Sequence, residues 1–142
     1  MDKIQLIEYA VFFLLLILPI ALAIRFFSNY DPIKEEGARC ESYIEKRLYN
    51  GLVKCGMIPR AQFEAGRNYR IDLSFPESKI AIECDGKAFH SSPAQKAHDR
   101  KKDRYLRSQG WTVLRFSGSM INRELSRVIG EITQELNGRE SK

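Results

Sequence analysis

The stretch that most restricts this chain runs from Tyr9 to Ile24, YAVFFLLLILPIALAI, where no charged or strongly polar side chain occurs. Sixteen residues of helix rise only about 24 Å, short of a hydrocarbon core of roughly 30 Å. Counted from Ile4 to Phe27, the segment is long enough, with Glu8 and Arg25 at the interfaces and the Arg25 stem snorkelling. Pro19 would kink such a helix, which membranes tolerate. A single-span anchor over residues 1–28 is the favoured reading. A signal peptide cleaved near Ala21-Leu22-Ala23 competes with it, but the leading MDKIQLIE sets one Lys against two acids, where signal peptides start positive. A buried core helix is the third reading, and so uniform an apolar run is uncommon in a domain this small. Arg25, Lys34 and Arg39 follow the span while Asp2 and Glu8 offset Lys3, so the positive-inside tendency puts the C-terminal part in the cytosol. The expectation is a single-pass membrane protein whose remaining residues build one modest domain.

Within that domain the dominant pattern is RIDLSFPESKIAIECDGKAFH, from Arg70 to His90. Tyr69, Ile71, Leu73 and Phe75 alternate with Arg70, Asp72 and Ser74; Pro76-Glu77-Ser78 make a turn; Ile80, Ile82 and Cys84 alternate with Ala81, Glu83 and Asp85. Two short strands follow, with Glu83 and Asp85 on one face and Asp72 able to share it. Same-face carboxylates two residues apart lie about 7 Å from each other and repel by roughly 2 kcal/mol at an effective dielectric of about 20. Protonation, pairing with arginine or a hard cation would each relieve this. Mg²⁺ suits the pattern best, because it is commonly held by one or two carboxylates plus substrate phosphates.

Asn29 to Gly37 has the composition of a polar linker, with a turn at Asp31-Pro32. A helix is expected from Ile33 or Lys34 to Lys54, stopped at Gly56, its buried stripe formed by Cys40, Ile44, Leu48 and Leu52 with Glu45 at the edge. A strand around Ala61-Gln62-Phe63 should open an antiparallel meander. After His90 a helix capped by Ser91 or Ser92 runs to Ser108, with Lys96, Arg100, Lys101, Lys102, Arg104 and Arg107 against Asp99 and Asp103. So basic a helix is either a solvated face or a surface that tracks phosphates. Trp111 to Phe116, WTVLRF, is a strand, and its helical connection makes it parallel to an earlier one. A last helix, Ile121 to Leu136, has a packing role. The net charge of +5 fits nucleic acid or an anionic membrane surface without selecting either. Cys40, Cys55 and Cys84 are odd in number and lack CxxC spacing, so neither a disulfide framework nor a zinc site is indicated.

Taken together, IEKRL at Ile44–Leu48, QFEAGRNYRIDLSF at Gln62–Phe75, AIECDGKAFH at Ala81–His90, DRKKDRYLRSQGW at Asp99–Trp111 and VLRF resemble the Vsr-like (very short patch repair) branch of the PD-(D/E)XK nuclease superfamily. The resemblance spans about residues 38–135 and leaves out the apolar segment. It implies an α/β fold: a restriction-endonuclease-like three-layer core with a mixed sheet flanked by helices, here over residues 38–137 and preceded by one transmembrane helix. The segments 29–37 and 138–142 would be a linker and a polar tail. It further implies Mg²⁺-dependent (or Mn²⁺-dependent) cleavage of nucleic acid, DNA above all. Asp72 and Glu83 match the family's metal-binding acids, His90 its histidine, Glu45 the acid of the leading helix and Gln62 the glutamine before the hairpin. Asp85 stands where the wider superfamily has lysine. The expected site therefore has Asp72, Glu83 and Asp85 on the metal and His90 and Glu45 completing the catalytic set. Gln62, Lys87, Arg100, Lys101 and Arg104 would contact nucleic acid. A non-catalytic binding module on the same fold, and a membrane-tethered assembly factor, are the alternatives.

Overall fold

The computed structural model of the chain describes residues 2–66, 69–86 and 93–140. It divides into two compact units, Met1–Pro32 and Ile33–Lys142. The first is essentially one helix, α1 (Lys3–Asn29), with Pro19 inside it. Residues Lys3–Ser28 are long and apolar enough to cross a membrane, and none of the window is buried against protein. A helix satisfies its own backbone hydrogen bonds, as hydrocarbon requires.

The second unit is built on a four-stranded sheet in the order β1 (Arg60–Ala65), β2 (Tyr69–Phe75), β3 (Ile80–Asp85), β4 (Thr112–Ser117). The first two pairings are antiparallel and the third is parallel, as the meander and the helical connection imply. Parallel neighbours need a crossover, which α4 (Pro93–Ser108) supplies. Leu106 of α4 packs on one face of the sheet with Ile71, Ala81, Trp111 and Val113. On the other face, Leu48, Tyr49 and Leu52 of α3 (Tyr43–Lys54) pack with Ile121 of α5 (Gly118–Arg123) and Val128 and Ile132 of α6 (Leu125–Glu140) over Leu73, Ile80, Ile82 and Phe116. The result is a three-layer α/β arrangement.

Three expectations need correction. The region from residue 33 to 54 is two helices rather than one: α2 (Pro32–Ala38) and α3. Ser42 takes extended backbone angles as N-cap, accepts from the Glu45 amide at 3.2 Å and donates to Glu45 Oε1 at 2.7 Å, which starts α3 afresh. The expected linker is consequently helical from Pro32, and Ile33 packs against the core. The last helix also divides, because Ser117 caps α5 by accepting from the Met120 amide and Glu124 leaves helical geometry before α6.

One local irregularity positions the site. Ala61 and its partner Leu73 belong to the α3-side core, whereas Phe63 and its partner Ile71 belong to the α4 side. Residues two apart in a strand ordinarily share a face. The hairpin therefore rolls over at Gln62 and Asp72, and Gln62 carries φ +52 there. A non-glycine residue in the left-handed region costs on the order of 1 kcal/mol and persists only where its surroundings hold it.

Candidate active site

Glu83 is one of four buried polar or charged residues among those described. It sits on β3 facing α4, is 5 % exposed, and its Oε2 accepts from Lys102 Nζ at 2.6 Å. Its Oε1 is buried with no hydrogen-bond partner, and it alone has that status among the buried side-chain polar atoms of the described residues. Burial pushes its carboxyl pKa up from 4.5 to about 7; Lys102 opposes the rise and Asp72 adds to it. An orphaned carboxylate oxygen normally costs about 1–3 kcal/mol, and it is a lone pair available to a cation.

Asp72 lies one residue past the last β2–β3 pair, Leu73 with Ile82. In place of a ladder bond, the Cys84 amide donates to Asp72 Oδ2 at 2.8 Å. Burial raises the Asp72 pKa, the Cys84 amide works against the rise, and Glu45 and Asp85 add repulsion. Opposite Asp72 on β1 stands Gln62, whose Nε2 donates to Glu45 Oε2 at 2.7 Å. Glu45 is 7 % exposed and also accepts from the Glu41 amide and the Ser42 hydroxyl. Its carboxylate is thus held inside the domain rather than at a solvated helix edge, and the rolled backbone at Gln62 aims the amide at it.

Asp85, 45 % exposed along its side chain, accepts at Oδ1 from Arg115 Nη1 at 2.9 Å. The same guanidinium donates from Nε and Nη2 to the two oxygens of Asp103, at 3.3 and 2.6 Å. The forked bond to Asp103 raises the Arg115 pKa further above its already high value. Arg115 is the register partner of Glu83 across the parallel β3–β4 pair. Among the described residues no three His, Cys, Asp or Glu side chains form a ready metal shell.

The structure brings Glu45, Gln62, Asp72 and Glu83 into one electrostatically coupled group, with Asp85 beside it on β3. His90 and Lys87 lie outside the described residues. Arg100, Lys101 and Arg104 are exposed on α4 and make no ion pair among the described residues. His98, exposed on α4, sets its ring 5.9 Å from that of Tyr69. Sequence reasoning missed the individual importance of Lys102, Asp103 and Arg115. A signal was present: Lys102 precedes the buried Leu106 by four residues and so shares its inward face, unlike the bases around it. Arg115 follows Val113 by two on the face turned to α4.

This architecture is that of a restriction-endonuclease-like nuclease core. The catalytic domain of homing endonuclease I-Bth0305I superposes with a TM-score of 0.58 at 19 % identity, covering 70 % of this chain and 98 % of that one. The chain belongs to the REase_MTES_1575 family, whose model matches residues 44–136. Related proteins include the uncharacterised Rv2248 of Mycobacterium tuberculosis H37Rv, 25 % identical over 103 residues, and the uncharacterised YcjD of Escherichia coli K12, 35 % identical over 80 residues. The matches cover 69 % and 56 % of this chain, but only 38 % of Rv2248 and 65 % of YcjD. An uncharacterised Haemophilus influenzae protein is 35 % identical over 65 residues, which is 46 % of this chain and 53 % of its own.

Proposed function

We propose that this chain is a divalent-metal-dependent endonuclease of the Vsr-like kind, hydrolysing phosphodiester bonds of DNA and tethered by α1 to a membrane, with the catalytic domain on the cytosolic side. The observation that carries the reading is the buried, unpartnered Oε1 of Glu83 beside the Asp72 carboxylate. Asp72 and Glu83 offer hard oxygen ligands of the kind Mg²⁺ or Mn²⁺ takes, and two carboxylates suffice when substrate phosphates complete the shell. The Cys84 carbonyl and, through water, the second oxygen of Asp85 are further donors. When bound, such an ion lowers the pKa of water and polarises a phosphoryl oxygen. Glu45, held by Ser42 and Gln62, is assigned the orientation of water. His90 is assigned proton transfer, its ordinary pKa suiting neutral pH. Lys87 and the exposed Arg100, Lys101 and Arg104 bind the flanking backbone, whereas Gln62, expected to join them, is buried with its amide on Glu45 and serves to hold that carboxylate.

A second reading has one observation in its favour: Glu83 and Asp85 are already neutralised by Lys102 and Arg115. A non-catalytic tethered nucleic-acid-binding module would look the same without metal. To separate the two, the full-length chain in detergent is melted with and without millimolar Mg²⁺ or Mn²⁺, then offered supercoiled, linear and single-stranded DNA and RNA. The nuclease reading expects stabilisation by metal and cleavage of at least one DNA form, both absent in Glu83→Ala. Salt-sensitive binding without cleavage in any metal would establish the module instead.

A further inference from the structure

We propose that Lys102 is a catalytic residue of this site, its ammonium facing the non-bridging oxygens of the scissile phosphate. The inference rests on the nuclease reading above.

Lys102 differs from every other base on α4. Its side chain is 11 % exposed, whereas Lys96, Arg100, Lys101, Arg104 and Arg107 are all exposed. Burying a lysine has a desolvation cost that one ion pair repays only when the remaining donors and acceptors are satisfied. Here they are not: Lys102 holds Oε2 of Glu83 while Oε1 is left without a partner. Stability alone does not account for such a pair, and catalytic preorganisation does.

The placement is also built in. The next residue, Asp103, takes two bonds from Arg115, and Arg115 is fixed in turn to Asp85, the last residue of β3. Asp85 and Asp103 therefore work through Arg115 as positioning residues: they pin α4 to β3 and β4 and set the Lys102 ammonium against Glu83. Glu83 then has one oxygen for the ammonium and one for a metal ion. A bound metal ion would share the Glu83 carboxylate with the ammonium.

Phosphodiester hydrolysis needs this charge. Water oxygen forms a bond to phosphorus, the bond from phosphorus to one ester oxygen breaks, and a phosphomonoester and an alcohol result. The proton lost by water passes to solvent, and the departing alkoxide gains one in return. Between the two, negative charge builds on the phosphoryl oxygens. A fixed donor aimed at developing charge is typically worth about 100- to 1,000-fold in rate.

The test uses the full-length chain in detergent. Lys102→Met, Lys102→Arg and Lys102→Cys, the last before and after aminoethylation, are compared with wild type under single-turnover conditions at saturating plasmid in Mg²⁺. Wild type treated with the same reagent controls for the three native cysteines. DNA affinity in Ca²⁺ and the Mg²⁺-induced melting shift are measured in parallel. Lys102→Met is expected to lose about 100-fold or more in rate, to keep DNA affinity within about threefold and to keep a metal-induced shift. Arginine should recover part of the rate and aminoethylated cysteine most of it; a merely structural role would instead lower metal-free stability and DNA affinity together with the rate and recover all three together. Cleavage by Lys102→Met within about threefold of wild type, with Glu83→Ala inactive, overturns the role of Lys102 and leaves the nuclease reading standing. Failure of aminoethylation to restore any rate also overturns it. A wild type that cleaves nothing overturns both.

Discussion

Replacing Glu83 by Gln gives the sharpest thermodynamic prediction, because the pH dependence of stability isolates a single buried charge. In the metal-free protein Glu83 titrates near 7 rather than 4.5, driven up chiefly by burial, with Lys102 and Arg115 pulling down and Asp72 pushing up. Below pH 4.5 the group is neutral in both folded and unfolded chains and contributes nothing. Above pH 7 it is ionised in both, and the folded state carries the penalty of the buried charge. A displacement from 4.5 to about 7 amounts to about 3 kcal/mol at about 1.4 kcal/mol per pH unit. Stability of the wild type relative to Glu83→Gln should therefore fall by about that amount between pH 4.5 and 7.5. For a domain of this size that is about 10 °C in relative melting temperature. Trp111 is the chain's one tryptophan and is 6 % exposed, so its fluorescence in EDTA-treated protein follows unfolding of the α4-side core. Parallel melting profiles for the two proteins across that range would refute the argument that burial dominates at Glu83.

Three further outcomes are expected. Millimolar Mg²⁺ should stabilise the wild type more at pH 8 than at pH 5.5, since protonated Glu83 cannot bind it; at 100 times Kd the gain is about 2.7 kcal/mol, and Asp72→Asn should lose it in the same melting assay. Changing Arg100, Lys101 and Arg104 together to Gln should weaken DNA binding and reduce the slope of log K against log salt by up to about 0.9 per lost phosphate contact, measured by fluorescence anisotropy. Arg115→Met leaves Asp85 and Asp103 unpaired and should cost about 2 kcal/mol, read from the Trp111 transition in denaturant.

The strands were legible because each carries its own signal. The period-2 runs around Pro76 gave the hairpin, and WTVLRF after a helix implied a parallel neighbour, but its place beside β3 rests on the structure. What simple alternation missed is the rolling of the hairpin at Gln62 and Asp72. It treats Tyr69, Ile71, Leu73 and Phe75 as one face, yet Ile71 and Leu73 enter opposite cores. The helix break before Tyr43 was written in Ser42-x-x-Glu45, a capping pair inside an otherwise continuous helical pattern. Glu45 is buried for the same reason, since its carboxylate is consumed by Ser42, the Glu41 amide and Gln62. The acids of the site stood out through their mutual repulsion. The cations that answer them did not, because Lys102 is hidden in a run of bases and Arg115 in a strand, and only packing separates these from their neighbours.

The central claim is that Asp72 and Glu83 hold a metal ion that serves hydrolysis of nucleic acid. Nicking of supercoiled plasmid by the full-length chain in detergent tests it most directly, run in Mg²⁺, in Mn²⁺ and in EDTA, with Asp72→Ala and Glu83→Ala alongside. Nicking by the wild type in either metal, none in EDTA, and loss of at least about 1,000-fold in each variant while the Trp111 transition persists is the expected result. Equal nicking by wild type and both variants, or undiminished activity in EDTA, would contradict it.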